Sequence, residues 1–211
     1  MIKETILLYN PSPEPKRKTT DVPLSLLCAS KVLDKEGYKI KIVADNLYDN
    51  HMDIISKTAK NSRVLGISSL TGHQILGGLE ACRVAKQANK DIKIIWGGYH
   101  PSIFPAQTLE NPYVDIVVKG KGEKAFYEVI KKLDEGESFN DMPGIHWKED
   151  GQIFSNPDRP LEKMEGSPQI PYHLVDVEKC LYPSEYGQRT ISYVSSYGCP
   201  YKCGFCCEVY V

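Results

Sequence analysis

Apolar runs and amphipathic stretches alternate along residues 4–135 of the chain. Five runs rich in aliphatic and β-branched side chains are predicted strands, at residues 5–9, 39–44, 63–70, 92–96 and 115–118. Four stretches with apolar residues at helical spacing are predicted helices, at residues 24–36, 53–60, 73–89 and 123–135. Because strands that alternate with helices form parallel sheets covered on both faces, we expect an α/β fold. The predicted architecture is a flavodoxin-like (Rossmann-like), doubly wound, five-stranded parallel sheet.

The pattern changes after residue 135. Two short apolar runs flank Asp150 and Gly151, which indicates a tight β-hairpin. A stretch punctuated by prolines follows, and we expect it to wrap a surface as a linker. Residues 190–194 are predicted to form a strand that leads into a group of cysteines. The chain is therefore divided into an α/β domain (1–135), a hairpin and Pro-rich connecting region (136–189) and a short last segment (190–211).

The composition of the chain bears on whether it binds nucleic acid or a membrane and whether it is secreted. The 211 residues include 26 basic and 27 acidic side chains, so no electrostatic footprint for nucleic acid or an anionic membrane is present. No apolar stretch approaches the ~20 residues that span a bilayer, and the first residues do not read as a signal peptide. Seven cysteines, an odd number, do not indicate a secreted disulfide framework. We expect a cytoplasmic, reduced protein with no nucleic-acid or membrane partner.

Small and polar residues follow the predicted strands. In open α/β sheets, ligands bind in the crevice beyond the carboxyl ends of the strands. A pair of glycines there lets a flat or bulky ligand approach the backbone, and small hydroxyl residues can hydrogen-bond a ligand without filling the pocket. The candidate cofactor-binding residues in this crevice are Asn10, Ser68, Ser69, Leu70, Thr71, Gly97, Gly98, Gly120, Gly122 and Glu123.

Each of these features also has a purely structural interpretation. The glycine pair could form only a tight turn, and the two serines could cap the helix that follows them. His100, next to a proline, is interpreted as a loop residue rather than a metal ligand. Cys28 and Cys82 lie in helical stretches and are interpreted as core packing.

Three cysteines near the end of the sequence form a CxxxCxxC motif. Cys199, Cys203 and Cys206 can turn their sulfurs toward one point from a single loop. Thiolates hold iron–sulfur clusters, and three of them leave one iron of a four-iron cluster open. The last two cysteines could instead form a redox CxxC pair or half of a zinc site. The third cysteine favours a cluster, and Cys207 is awkwardly placed as a fourth zinc ligand because it directly follows Cys206.

These motifs resemble those of a known family. The CxxxCxxC spacing, with Phe205 before its last cysteine, is similar to that of radical S-adenosylmethionine (SAM) enzymes. The SxL segment at Ser68–Leu70 precedes Gly97 and Gly98 by 26 residues, which resembles cobalamin-binding domains. Together they resemble the radical SAM enzymes that carry a cobalamin-binding domain. The position of the family's cobalt-ligating histidine is Pro23 here, so the resemblance does not imply an axial histidine.

The resemblance implies three cofactors. Cobalamin would bind at the strand ends, Cys199, Cys203 and Cys206 would hold a 4Fe-4S cluster, and SAM would chelate the open iron with Phe205 near its adenine. A reductant such as flavodoxin or ferredoxin would supply the electron that cleaves SAM. The usual outcome is methyl transfer to an unactivated carbon of a substrate, here unknown, and some relatives form or contract rings instead.

Residues 190–211 correspond only to the opening of the radical SAM domain. A complete (β/α) barrel needs about 200 residues or more, so we expect this chain to be a fragment that is inactive by itself. Two rival functions remain open: a docking module that has lost cobalamin, and a small redox protein that uses the CxxC pair.

Overall fold

In the part of the chain that the structure describes, seven strands lie in one sheet and six α-helices pack around it. A computed structural model of the chain describes residues 5–15, 21–160, 166–194, 199, 201 and 203–207. The strands of the sheet are β1 (Thr5–Asn10), β2 (Ile40–Ala44), β3 (Ser62–Ser68), β4 (Lys93–Gly97), β5 (Ile116–Val118), β6 (Ile145–Glu149) and β7 (Gln152–Ser155). The helices are α1 (Leu24–Lys35), α2 (His51–Ala59), α3 (His73–Ala88), α4 (Tyr99–Ile103), α5 (Pro105–Glu110) and α6 (Gly122–Glu135). A separate hairpin consists of β8 (Tyr182–Ser184) and β9 (Gly187–Thr190).

The strand order is β2-β1-β3-β4-β5-β6-β7. The first five strands are parallel, which confirms the predicted flavodoxin-like sheet. The predicted hairpin is β6 and β7, and it joins the same sheet because β6 pairs antiparallel with β5. The order reverses at β1, so the crevice at the carboxyl ends of β1 and β3 is the expected ligand position.

Both faces of the sheet are covered. Alternate side chains of β1 point to opposite faces, with Leu8 in the core beneath α1 and α6 and Leu7 in the core beneath α2 and α3. Both leucines are buried, as the helices on each side require. The sheet is therefore doubly wound, as predicted.

Two stretches differ from the sequence expectation. Helices α4 and α5 were not predicted, because Pro101 and Pro105 are typical of loops. Pro105 occupies the first turn of α5, where the missing N–H would have no partner in the helix anyway. The strand predicted at residues 190–194 is wrong. β9 ends at Thr190, and the residues from Ile191 to Val194 have no partner strand within the described ranges.

Within those ranges, no helix has both the length and the apolar character needed to cross a bilayer.

The connecting region runs over α1 and α6. Ile170 and Tyr172 pack against the core on that face. His173 Nε2 lies 3.0 Å from Asp34 Oδ1 of α1. At the other side, the Arg159 guanidinium donates two hydrogen bonds to Glu128 of α6, at 2.7 and 3.0 Å. These contacts fasten the two helices that flank the site described next.

Candidate functional site

A cavity of about 370 Å³ opens at the carboxyl ends of the parallel strands, on the α1 and α6 face. The loops after β1, β3, β4 and β5 form its mouth, and α1 and α6 form two of its walls. This is the place where the parallel, doubly wound sheet is expected to bind a ligand. The cavity is therefore the candidate functional site.

Two rows of strand residues face the cavity. In the lower row, Leu8 pairs with Gly66 and Gly66 pairs with Ile95, so the three lie side by side. The upper row lies two residues further along each strand and includes Asn10 and Ser68. The lower row is apolar and the upper row is polar or small.

Two side chains approach the Gly66 backbone closely. A Cβ at this position would lie 2.7 Å from Leu8 Cδ2 and 3.1 Å from Phe126 Cζ of α6. No side chain could therefore be added there without displacing others. The missing side chain allows Leu8 and Phe126 to pack against the strand at the floor of the cavity.

Helix α1 closes the other side of the cavity. Leu26 is buried and lines the cavity. Cys28 also lines it, so the interpretation of Cys28 as core packing is wrong. Burial raises the pKa of the Cys28 thiol, and nearby Lys31 only partly opposes that shift. Cys82, by contrast, is a fully buried residue of α3, and its sulfur accepts a hydrogen bond from Trp96 Nε1.

A buried charged pair lies beside the cavity. Lys31 Nζ is 3.9 Å from Glu123 Oε1, and their side chains are 6% and 17% exposed. Glu123 stands in the first turn of α6, where the helix dipole favours a carboxylate. Within the described chain, its buried Oε1 accepts no hydrogen bond. Glu123 as a residue lines the cavity, so it is a candidate contact for a ligand there.

Hydrogen bonds join the loops that form the mouth. Gln74 of α3 donates through Nε2 to the Pro11 carbonyl at 2.7 Å and accepts from the Leu70 N–H at 2.6 Å. The side chain of Gln74 is buried, so this link between the β1 and β3 loops is protected from water. It fixes the separation of two edges of the cavity.

Buried Ser102 joins the other two loops. Its hydroxyl donates to the Gly98 carbonyl at 2.7 Å and accepts from the Gly120 N–H at 2.9 Å. The β3 and β4 loops are joined by the backbone, because the Ser69 N–H donates to the Gly97 carbonyl at 2.9 Å. We call this chain of links, from Gln74 to Ser102, the loop belt. Neither Gln74 nor Ser102 was a candidate residue in the sequence, because the bonds from Gln74 to Pro11 and from Gly120 to Ser102 join segments that are far apart along the chain.

Gly98 is the tightest point of the belt. Its φ is +96° and its ψ is −170°, a conformation that only glycine adopts readily. A Cβ at Gly98 would lie 2.9 Å from both the N and O atoms of Ser69. Gly98 is thus required by the close approach of two loops, and not only by a tight turn.

Most of the predicted cofactor-binding residues meet at this cavity. Nine of them line it: Asn10, Ser68, Ser69, Leu70, Gly97, Gly98, Gly120, Gly122 and Glu123. Thr71 does not, and its hydroxyl instead lies 3.2 Å from His100 Nδ1. The interpretation of Ser68 and Ser69 as caps of the following helix is wrong, because the N-cap of α3 is Gly72.

His100 is not a loop residue. It lies in α4, is 9% exposed, and its ring contacts that of Phe104 with centroids 5.7 Å apart. Burial lowers the pKa of His100, which favours the neutral ring that pairs with Thr71. Its backbone N–H donates to the Ser69 carbonyl at 3.0 Å, so His100 supports the loop belt from behind.

The cysteine motif lies only partly at the cavity. Cys199 is a lining residue, whereas Cys203 is exposed and Cys206 half-buried. Phe205 is 94% exposed and does not line the cavity. Within the described ranges, no three His, Cys, Asp or Glu side chains are grouped closely enough to hold one metal ion. Ligation of a cluster by Cys199, Cys203 and Cys206 stays a prediction.

A match to one protein-family model places the chain in a family. Residues 16–130 match the B12 binding domain. An uncharacterized methyltransferase, PH0819, of Pyrococcus horikoshii is 30% identical over 95% of this chain and 44% of its own length. Cytidylyl-2-hydroxyethylphosphonate methyltransferase of Streptomyces wedmorensis is 28% identical over 96% of this chain and 47% of its own length. The chain thus spans about half the length of these curated relatives.

The fold also matches solved structures. The radical S-adenosylmethionine methyltransferase TsrM from Kitasatospora setae, with cobalamin and a [4Fe-4S] cluster bound, superposes with a TM-score of 0.68. The match covers 98% of this chain and 41% of TsrM, at 19% sequence identity, which establishes a shared fold. The resemblance to radical SAM enzymes with a cobalamin-binding domain is confirmed, and this chain belongs to the B12-binding domain family.

Proposed function

We propose that this chain holds cobalamin at the carboxyl ends of β1, β3, β4 and β5, with the nucleotide tail of the cofactor in the cavity. The observation that carries the proposal is the cavity itself, which opens between Ser68–Leu70 and Gly97–Gly98. Its volume of about 370 Å³ is in the range of small-molecule sites. When bound, cobalamin supplies a carrier for a methyl group.

The residues present suit such a ligand. A nucleotide tail has an aromatic base, which matches the apolar lower row. It also has a ribose with hydroxyls, which matches the polar upper row and Glu123 in the cavity lining. Gly97 and Gly98 place no side chain at the mouth. Leu70, 46% exposed at the mouth, offers an apolar surface to the flat corrin ring.

The chain holds no imidazole at the family's cobalt-ligating position. Pro23 stands there and forms the N-cap of α1. We therefore propose that contacts with the tail and the edge of the ring, and not a bond from this position to cobalt, provide the affinity.

Retention of a corrinoid tests this proposal. The purified chain is incubated with hydroxocobalamin, desalted, and its corrinoid absorbance is measured against protein concentration. We expect about one corrinoid per chain, since the loop belt joins the loops around a single cavity. A docking module that has lost cobalamin would retain none, and that result would refute the proposal.

We further propose that the whole protein is a radical SAM methyltransferase. Three thiols within the eight residues from Cys199 to Cys206 are a donor set that suits a 4Fe-4S cluster with one open iron for SAM. Cys199 also lines the cavity, which supports a common opening for the two cofactor sites. The names of the two methyltransferase relatives support methyl transfer as the reaction. Turnover is proposed to need a barrel, because the described strands form only an open sheet and a hairpin.

Anaerobic reconstitution with iron and sulfide tests the cluster. We expect about four irons per chain, and substantial loss of iron in Cys203→Ala but not in Cys82→Ala, whose thiol is buried under α3. A redox CxxC protein would stay colourless, which would contradict the cluster. With SAM and a reductant added, sustained release of 5′-deoxyadenosine would contradict the proposed need for a barrel.

A further inference from the structure

Among the residues that the structure describes, hydrocarbon side chains form the inner end of the cavity. Leu8 and Ile95 of the sheet, Leu26 of α1 and Phe126 of α6 line the cavity at the level of Gly66. The four side chains are between 1% and 5% exposed, and all are hydrocarbon. A group that reaches this depth therefore meets apolar surface on several sides.

The backbone adds no partner at this level. Leu8, Gly66 and Ile95 are neighbours in parallel strands, so their N–H and C=O groups form hydrogen bonds within the sheet. The nearest polar side chain on α6 is Glu123, which lies one turn closer to the mouth than Phe126. The polar side chains that α1 adds to the lining are Ser25, which is exposed, and Cys28, whose thiol is only a weak donor and acceptor.

We propose that the inner cavity selects among cobamides by the base at the end of the nucleotide tail, and that it favours an alkylated benzimidazole over adenine. This inference rests on the proposed binding of the tail in the cavity. Both bases are fused five- and six-membered rings of similar size, so volume alone separates them little. Adenine carries an exocyclic amine and additional ring nitrogens, and these would lose their water without gaining partners at the apolar end.

Ile95 is the position through which this preference can be altered. It lies in the lower row beside Gly66 and is 2% exposed. Ile95→Thr places a hydroxyl there, and Ile95→Val is its control because valine and threonine have the same shape. If a polar partner for adenine is what the cavity lacks, only the threonine variant supplies one.

The experiment compares three corrinoids by equilibrium titration with the purified chain. The probes are hydroxocobalamin, whose base is dimethylbenzimidazole, the corresponding adeninylcobamide, and cobinamide, which has no base. We expect hydroxocobalamin to bind at least about tenfold more tightly than adeninylcobamide, and cobinamide to bind more weakly than hydroxocobalamin. The ratio between the first two should fall several-fold in Ile95→Thr relative to Ile95→Val.

The outcomes separate this inference from the proposed function. Equal affinity for hydroxocobalamin and adeninylcobamide would overturn the base preference while leaving corrinoid binding intact. Cobinamide that binds as tightly as hydroxocobalamin would overturn it too, since the base would then contribute nothing. Failure of all three probes to bind would overturn the proposed function itself. If Ile95→Thr does not fold, the wild-type comparison of the three corrinoids still decides the question.

Discussion

The Gly98→Ala variant is expected to lose about 2 to 4 kcal/mol in the free energy of unfolding and to retain no corrinoid. Alanine is strained at a φ of +96°, and its Cβ would lie 2.9 Å from the N and O atoms of Ser69. Ser69 cannot move away easily, because its N–H donates to Gly97 and its carbonyl accepts from His100. Urea unfolding without corrinoid and retention of hydroxocobalamin after desalting measure the two effects separately.

The neighbouring glycine provides the matched control. A Cβ at Gly97 would have the Val118 carbonyl oxygen as its nearest neighbour, at 3.7 Å, an ordinary contact. Gly97→Ala should therefore keep its free energy of unfolding within about 1 kcal/mol, and should bind corrinoid more weakly because Gly97 lines the cavity. Equal stabilities of the two variants would show that the β3 and β4 loops do not approach as closely as described.

The position of the site follows from the sequence through one general rule. Parallel strands end at the same edge of a sheet, so small and polar residues after β1, β3, β4 and β5 could be expected to meet. Asn10, Ser68 and Gly97 do line one cavity, although they lie far apart along the chain. Periodicity alone was enough for this step, because the strands are long apolar runs with clear ends.

The loop belt could not be predicted in the same way. Gln74 bonds to Pro11, which lies 63 residues away along the chain. Ser102 bonds to Gly120, which lies 18 residues away. No periodic pattern marks such residues, and a glutamine in the first turn of a helix usually faces water. The interpretation of His100 as a loop residue was wrong for a related reason. A His-Pro pair is typical of a loop, but here it lies in α4, where His100 is buried.

The two-layered character of the cavity depends on strand register, which a single sequence does not give. Leu8, Gly66 and Ile95 come from three strands and become neighbours only when these strands are aligned. In isolation, a glycine inside a strand indicates a weak point, a bulge or a close approach. Here Gly66 marks a close approach, because Leu8 and Phe126 pack against its backbone at the floor of the cavity in which the tail of the cofactor is proposed to lie.

Gly66→Val is therefore expected to weaken the binding of hydroxocobalamin by about 100-fold, and Gly66→Ala by about tenfold. The new side chain would displace the ends of Leu8 and Phe126, which lie 2.7 and 3.1 Å from the Cβ position. Both are side-chain ends beside the cavity, so their displacement reduces its volume. The free energy of unfolding should fall by only about 1 to 3 kcal/mol, because valine suits a strand and the cavity absorbs part of the added bulk.

Gly187→Val is the control for this substitution. Gly187 lies in the exposed strand β9, and no atom lies within 4 Å of a Cβ built there. We expect wild-type corrinoid affinity and an unfolding free energy within about 0.5 kcal/mol of wild type. Titration with hydroxocobalamin and urea unfolding of the variants measure both quantities. If Gly66→Val is folded and binds corrinoid as tightly as Gly187→Val, the nucleotide tail does not occupy the inner cavity, and the corrinoid must be held by the loops alone.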